Sequence, residues 1–225
     1  MSDFQSIKTQ TRFGRFSDVF PESMSKDFNA RFARLAVLYE DLSLEISGMI
    51  ADEGSLKPLA RHSDAYRKHY FARRAFGTLS EFADAVQRLR ESSDFGKFES
   101  TFNLEQSGTW KAATKFLGEN RAMIERVRND VGGHFGEAAS RYAVGQSDRD
   151  SSISLTIESD VAHSKRLKVG FAGDLAAAAL VGHAPGADAS EKARFVFELL
   201  LVGLKHAMDV VYAVFGPSVW HKLGR

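Results

Sequence analysis

Apolar residues step along much of this chain in threes and fours, and that spacing limits the folds open to it more than any other feature. Between Asp27 and Ala51 they fall at Phe28, Phe32, Leu35, Tyr39, Leu42, Ile46 and Met49, which is one face of a helix. Gly54 and Pro58 punctuate that run. The spacing then predicts a second helix from about Arg61 to Leu89, with Phe76, Leu79, Phe82, Ala83, Val86 and Leu89 as its buried stripe. A polar linker, Glu91 to Gly108, leads to a third helix lined by Trp110, Ala113, Phe116, Leu117, Met123, Ile124 and Val127. Phe135 to Val144 reads as a short helix. The expected fold class is mainly α, an antiparallel helical bundle.

The pattern changes after residue 146. Ile153, Leu155 and Ile157 alternate with polar residues, as do Leu167 and Val169 beyond a loop holding Asp160 and His163. Alternation of period two predicts strands, here a small appended β-hairpin. Ala172 to Val181 is alanine-rich and reads as helix. Asp188 followed by Glu191 forms an N-cap signal for a last helix from about Ser190 to Phe215. That helix is apolar on nearly every side, through Phe195, Val196, Phe197, Leu199, Leu200, Leu201, Val202 and Leu204. A helix so coated is either central or half buried in a partner. The expected organisation is an arm over residues 1–24, a helical bundle over 25–145, and a hairpin with C-terminal helices on the same body over 146–225. No internal repeat appears.

Composition narrows the function. A chain of 225 residues with 44% hydrophobic residues can bury one sizeable core. The net charge of +1 gives no global field toward nucleic acid, so any such binding needs a local patch. With no cysteine, disulfides, zinc–thiolate sites and thiol nucleophiles are excluded. The first ten residues, MSDFQSIKTQ, lack the apolar run of a secretory leader. Glu198, Lys205, His206 and Asp209 interrupt the most apolar tract, so it is no bilayer span. A cytoplasmic location is the expectation.

Arg128-Asn129-Asp130-Val131-Gly132-Gly133-His134 is the stretch that points most sharply to a chemistry. A histidine titrates near neutral pH and can move a proton on or off a ribose hydroxyl. A guanidinium forks onto two phosphate oxygens and stabilises charge on phosphorus. Asn129 could orient either group through its amide. On one continuous helix six residues advance about 600°, leaving Arg128 and His134 about 120° apart. Gly132-Gly133 offers a break that would swing His134 back toward Arg128. The same glycines equally suit a structural helix terminus, with Gly132 as its left-handed cap.

An arginine followed at once by a polar residue, and by a histidine after a short spacer, resembles the signature of HEPN domains. That resemblance covers about residues 27–145 and carries Arg128, Asn129 and His134 as candidate catalytic residues. It implies an all-helical bundle and RNA binding or metal-independent RNA cleavage at a dimer interface. Two copies of the motif would then supply one base, one acid and two arginines. No cofactor and no metal is implied.

A second candidate lies in Lys57 to Arg74, KPLARHSDAYRKHYFARR. Arg67, Lys68, Arg73 and Arg74 with Tyr70 are the candidate RNA-binding residues, cations for phosphates and a ring for a base. The other reading is a solvated helix face whose aromatics point inward. His62 and His69 stand seven apart, about 10 Å along a helix, too far for one metal ion. No His-Glu-x-x-His string occurs, and Gly170-x-x-Gly173 lacks the Lys-Ser/Thr of a phosphate loop. The partners expected are RNA and a second copy of the chain, with no membrane. The rival function is a non-catalytic helical protein that dimerises or docks a partner through its last helix.

Overall fold

The computed structural model describes residues 15–20, 22–50, 58–129, 137–146, 155–159, 165–169, 171–182 and 184–216. It is mainly α-helical. A short α1 (Phe16–Val19) precedes α2 (Lys26–Ile50) and α3 (Pro58–Arg90). Then come α4 (Phe95–Glu99), α5 (Leu104–Val127) and α6 (Glu137–Gln146). Strands β1 (Leu155–Ser159) and β2 (Lys165–Val169) pair antiparallel, with Leu155 opposite Val169 and Ser159 opposite Lys165. The chain closes with α7 (Phe171–Val181) and α8 (Ala189–Phe215).

The helices α2 and α3 run antiparallel, which their cross-links establish. Arg31 near the start of α2 donates to the Arg88 carbonyl in the last turn of α3, at 2.6 Å. At the other end Arg67 donates to the Gly48 carbonyl in the last turn of α2. Between them lie the Arg34–Glu81 pair at 3.6 Å and the Arg74–Glu45 pair at 3.3 Å. The apolar stripe of α2 is buried at Phe28, Phe32, Leu35, Leu38, Leu42, Ile46 and Met49. Burying one such side chain is worth roughly 1.5–3 kcal/mol, whereas an exposed ion pair contributes about 0–1. Packing therefore holds the helices together, and the ion pairs set their register.

The central position of α3 follows from its sequence. Ala72, Ala75, Phe76, Leu79, Phe82 and Leu89 are all fully buried. It packs on α2, α5, α7 and α8. Gly203 on α8 marks the tightest of these approaches, because a Cβ there would sit 2.6 Å from Leu79 Cδ2. The alanines Ala176 and Ala179 on α7 are also buried, and small side chains let helix backbones come close. On α6, Tyr142 lies against Gly182, where a Cβ would meet its ring at 2.6 Å.

The segment expected as a polar linker from Glu91 to Gly108 is instead part of the core. It holds α4 and the first turn of α5. Phe95 and Phe98 on α4 and Phe102 just beyond it are spaced three and four apart, and all three rings pack inward. Phe98 meets Phe28 at 5.3 Å and Phe32 at 5.5 Å, Phe95 meets Trp110 at 5.2 Å, and Phe32 meets Phe215 of α8 at 4.2 Å. Edge and tilted aromatic pairs of this kind add about 0.5–1.5 kcal/mol beyond their buried area. Asp94 ties the segment down by accepting from the Ser25 backbone N–H at 2.9 Å. Hydrogen bonds from Ser25 hold the Asp94 carboxyl below the usual carboxylate range.

The start of α5 is fixed by a capping box. The Asn103 side chain accepts from the Gln106 N–H at 2.8 Å, and the Gln106 side chain accepts from the Asn103 N–H at 3.0 Å. Gln106 is buried and also donates to the Ala213 carbonyl of α8 at 2.9 Å. With Phe116 stacked on His206 at 4.4 Å, this sets α5 antiparallel to α8. At the start of α8, Asp188 accepts from the Glu191 N–H at 2.9 Å. The Glu191 carboxylate reaches past the cap to the Ala187 N–H, also at 2.9 Å.

Candidate functional site

Arg128 and Asn129 leave the C-terminal end of α5 on a helical turn that widens to π type at 128–129. Arg128 keeps helical dihedrals, φ −57° and ψ −49°. Both side chains are exposed, while Ile124 and Val127 just before them are buried. The turn is thus held by the core and offers a guanidinium and an amide to solvent. His134 and Gly132-Gly133 lie outside the described residues, as do Lys57 and residues 1–14 of the arm expected over 1–24.

The basic strip on α3 is largely turned toward the protein itself. Arg67 donates to the Gly48 carbonyl of α2. Arg74 pairs with Glu45 at 3.3 Å. The Arg73 guanidinium lies 6.0 Å from the centre of the Tyr66 ring, a cation–π distance. Lys68 is half buried. Tyr70 is exposed and meets the edge of Phe71 at 5.5 Å. Of the aromatics in the strip, Tyr66 and Tyr70 face solvent, whereas Phe71 packs on the core.

Glu45 and His69 are the strip's inner neighbours. Burial pushes the Glu45 carboxyl above its ordinary value, although hydrogen bonding from Thr78 and the charge of Arg74 pull the other way. Burial and the adjacent Arg73 charge lower the His69 imidazole, opposed by Asp174 of α7. Glu45 sits at the seam of α2 with α3.

Two features were not singled out from sequence. A polar, solvent-open depression of about 500 Å³ is lined by Arg31, Asp84, Gln87, Arg88, Glu91 and Arg121. Two of its three arginines are committed within the fold, Arg121 to Asp84 at 2.5 Å and to Glu125 at 2.7 Å, and Arg31 to the Arg88 carbonyl. The second is which side of α8 stays open, since the sequence marks that helix for docking without choosing a face. Val196, Leu199, Leu200, Ala207, Val210, Ala213 and Val214 are buried, and Phe195 and Phe197 are half buried against the core. Leu201, Val202, Met208 and Tyr212 remain 46%, 40%, 49% and 44% exposed. The order Arg194, Glu198, Lys205, Asp209 on the same helix carried a signal for this face, since charges at those positions mark its solvent side.

His206 stands at the edge of α8. Its Nδ1 is 3.2 Å from the Asp209 carboxylate, and its ring stacks on Phe116. Burial and the Lys205 charge lower its pKa, and Asp209 opposes them.

Among the described residues no group of three or more His, Asp or Glu converges to hold a metal ion. No helix among them is long and apolar enough to cross a membrane. Comparison of the chain with protein-family models, with curated proteins and with solved structures found no match to any of them.

Proposed function

We propose that this protein works as a dimer-forming helical module that assembles through the outer face of α8. The observation that carries this reading is the row of half-exposed large apolar side chains on that helix, Leu201, Val202, Met208 and Tyr212. Apolar surface gathered on one element marks an association site, and a symmetric pair is the commonest way soluble proteins cover it. Sedimentation at micromolar concentration is expected to give twice the chain mass. Leu201→Glu together with Met208→Glu should return a monomer with unchanged helix content. A wild-type monomer at these concentrations would remove the proposal.

A second reading is favoured by a different observation, the exposed Arg128 and Asn129 on their widened turn. In that reading the dimer binds RNA, or cleaves it without metal in the HEPN manner, with His134 as the proton-transfer group. Cleavage of a mixed RNA pool should survive EDTA and fall at least ~10²-fold in Arg128→Ala and in His134→Ala. Activity persisting in both variants would end this reading. Salt resolves the part played by the strip. A slope near −0.7 per phosphate neutralised is expected for single strands. It should flatten when Arg67, Lys68, Arg73 and Arg74 are changed to Gln only where those side chains reach the RNA.

A further inference from the structure

We infer that the α8 face is self-complementary, and that two copies of the chain pair their α8 helices antiparallel about a two-fold axis between residues 201 and 202. This rests on the dimer reading above and deepens it by naming the partner surface and its register. Arg194, Glu198, Leu201, Val202, Lys205 and Asp209 are spaced 4, 3, 1, 3 and 4 residues apart, the same in both directions. At about 100° per residue they occupy an arc of about 100°, which is the side of α8 left open by the bundle.

The charges on this palindromic spacing reverse sign about its centre. Arg194 and Glu198 form one i,i+4 pair at 3.9 Å, and Lys205 and Asp209 form another of the same polarity at 2.8 Å. An antiparallel copy centred between 201 and 202 sets Glu198 level with the partner's Lys205. Arg194 then lies level with the partner's Asp209, about 11 Å from the axis. Each in-chain pair becomes half of a four-charge cluster, and networks of this kind outperform isolated surface pairs. Leu201 and Val202 straddle the axis, so that Leu201 of one copy faces Val202 of the other, and both are covered.

Other arrangements lose this match. A parallel pair puts Arg194, Glu198, Lys205 and Asp209 each against its own copy. Moving the axis to residue 203 sets Glu198 against Met208 and Lys205 against Leu201. The four charges sum to zero, so the face has no net attraction for a strongly acidic or basic partner. Its complement is itself.

Charge reversal in mixed chains provides the test. Glu198→Lys sets like charges opposite Lys205 at both ends of the axis, and Lys205→Glu does the same opposite Glu198. Each variant alone should weaken dimerisation by at least about tenfold. An equimolar mixture of the two should recover it, because each unlike chain restores both pairs. The chain has no cysteine, so Leu201→Cys and Val202→Cys chains each carry a single thiol, and a mixture of the two should form an intermolecular disulfide under mild oxidation. Lys115→Cys, exposed on α5, should not. A dimer that tolerates both reversals and leaves the mixed Leu201→Cys and Val202→Cys chains unlinked would overturn this register while leaving dimerisation intact. A wild-type monomer would overturn both.

Discussion

The seam between α2 and α3 and the outer face of α8 are made of the same residue types, arginine, glutamate and large aliphatics, yet they come out differently. In the seam, Arg67 and Arg74 bond to Gly48 and Glu45, and the aliphatics between are buried. On α8 the ion pairs Arg194–Glu198 and Lys205–Asp209 stay along one helix, and Leu201 and Val202 beside them remain open. The difference is one of reach: the seam charges are answered across two helices, those of α8 only along their own helix. In the seam the protein is its own partner. On α8 the apolar side chains between the ion pairs are left open.

The largest test of this contrast is truncation. Phe32→Ala removes a ring that meets Phe20, Phe28, Phe98 and Phe215 and should cost about 3–5 kcal/mol of stability. Leu201→Ala should change monomer stability by no more than about 0.5 kcal/mol while weakening the dimer. Denaturant melts of the two variants, read beside their sedimentation, check both statements. Equal losses in the melts would erase the distinction between the regions.

A middle-sized effect is expected where α8 meets α3. Gly203→Val drives a side chain into buried Leu79 and should cost roughly 1–3 kcal/mol through overpacking. A melt unchanged by this substitution would show that α8 is less firmly seated than the described packing implies.

The smallest effect concerns pH. Burial raises the folded-state pKa of Glu45, so the folded protein keeps a proton that the unfolded chain has released. Its contribution is fully present below the ordinary carboxylate value and is lost as pH rises toward the folded one. The slope for one such group cannot exceed about 1.4 kcal/mol per pH unit. Glu45→Gln should flatten that part of the profile and be neutral or stabilising above it. A profile identical to wild type would mean that Arg74 and Thr78 fully compensate the burial.

The long helices were legible because their stripes are unbroken. A run expected over 27–51 is found at Lys26–Ile50, and the Asp188 cap opens α8 as its sequence implies. The segment from Glu91 to Gly108 reads as a linker because Phe95, Phe98 and Phe102 are three apolar residues among many polar ones, too few to outweigh them. The partners of Arg67 and Arg74 were not legible, because they depend on how α3 docks on α2. The open face of α8 was hidden for the opposite reason. Every side of that helix is apolar, so hydropathy alone could not choose one, and only the order of Arg194, Glu198, Lys205 and Asp209 held the choice. For the Arg128 motif, the sequence supplied the residue types, and the structure adds the exposure of Arg128 and Asn129.

The crossed arginines at the two ends of the α2–α3 pair have a consequence for how the molecule comes apart. The last carbonyls of a helix lack partners within it, and a cation near them also answers the helix dipole. Arg31 serves the final turn of α3 and Arg67 the final turn of α2. Each helix end is therefore tied by one bond from the other, and fraying of either end costs that bond. Amides in both terminal turns should exchange with solvent only through opening of the whole hairpin, at one shared rate. Arg31→Ala and Arg67→Ala should each release one end to exchange independently.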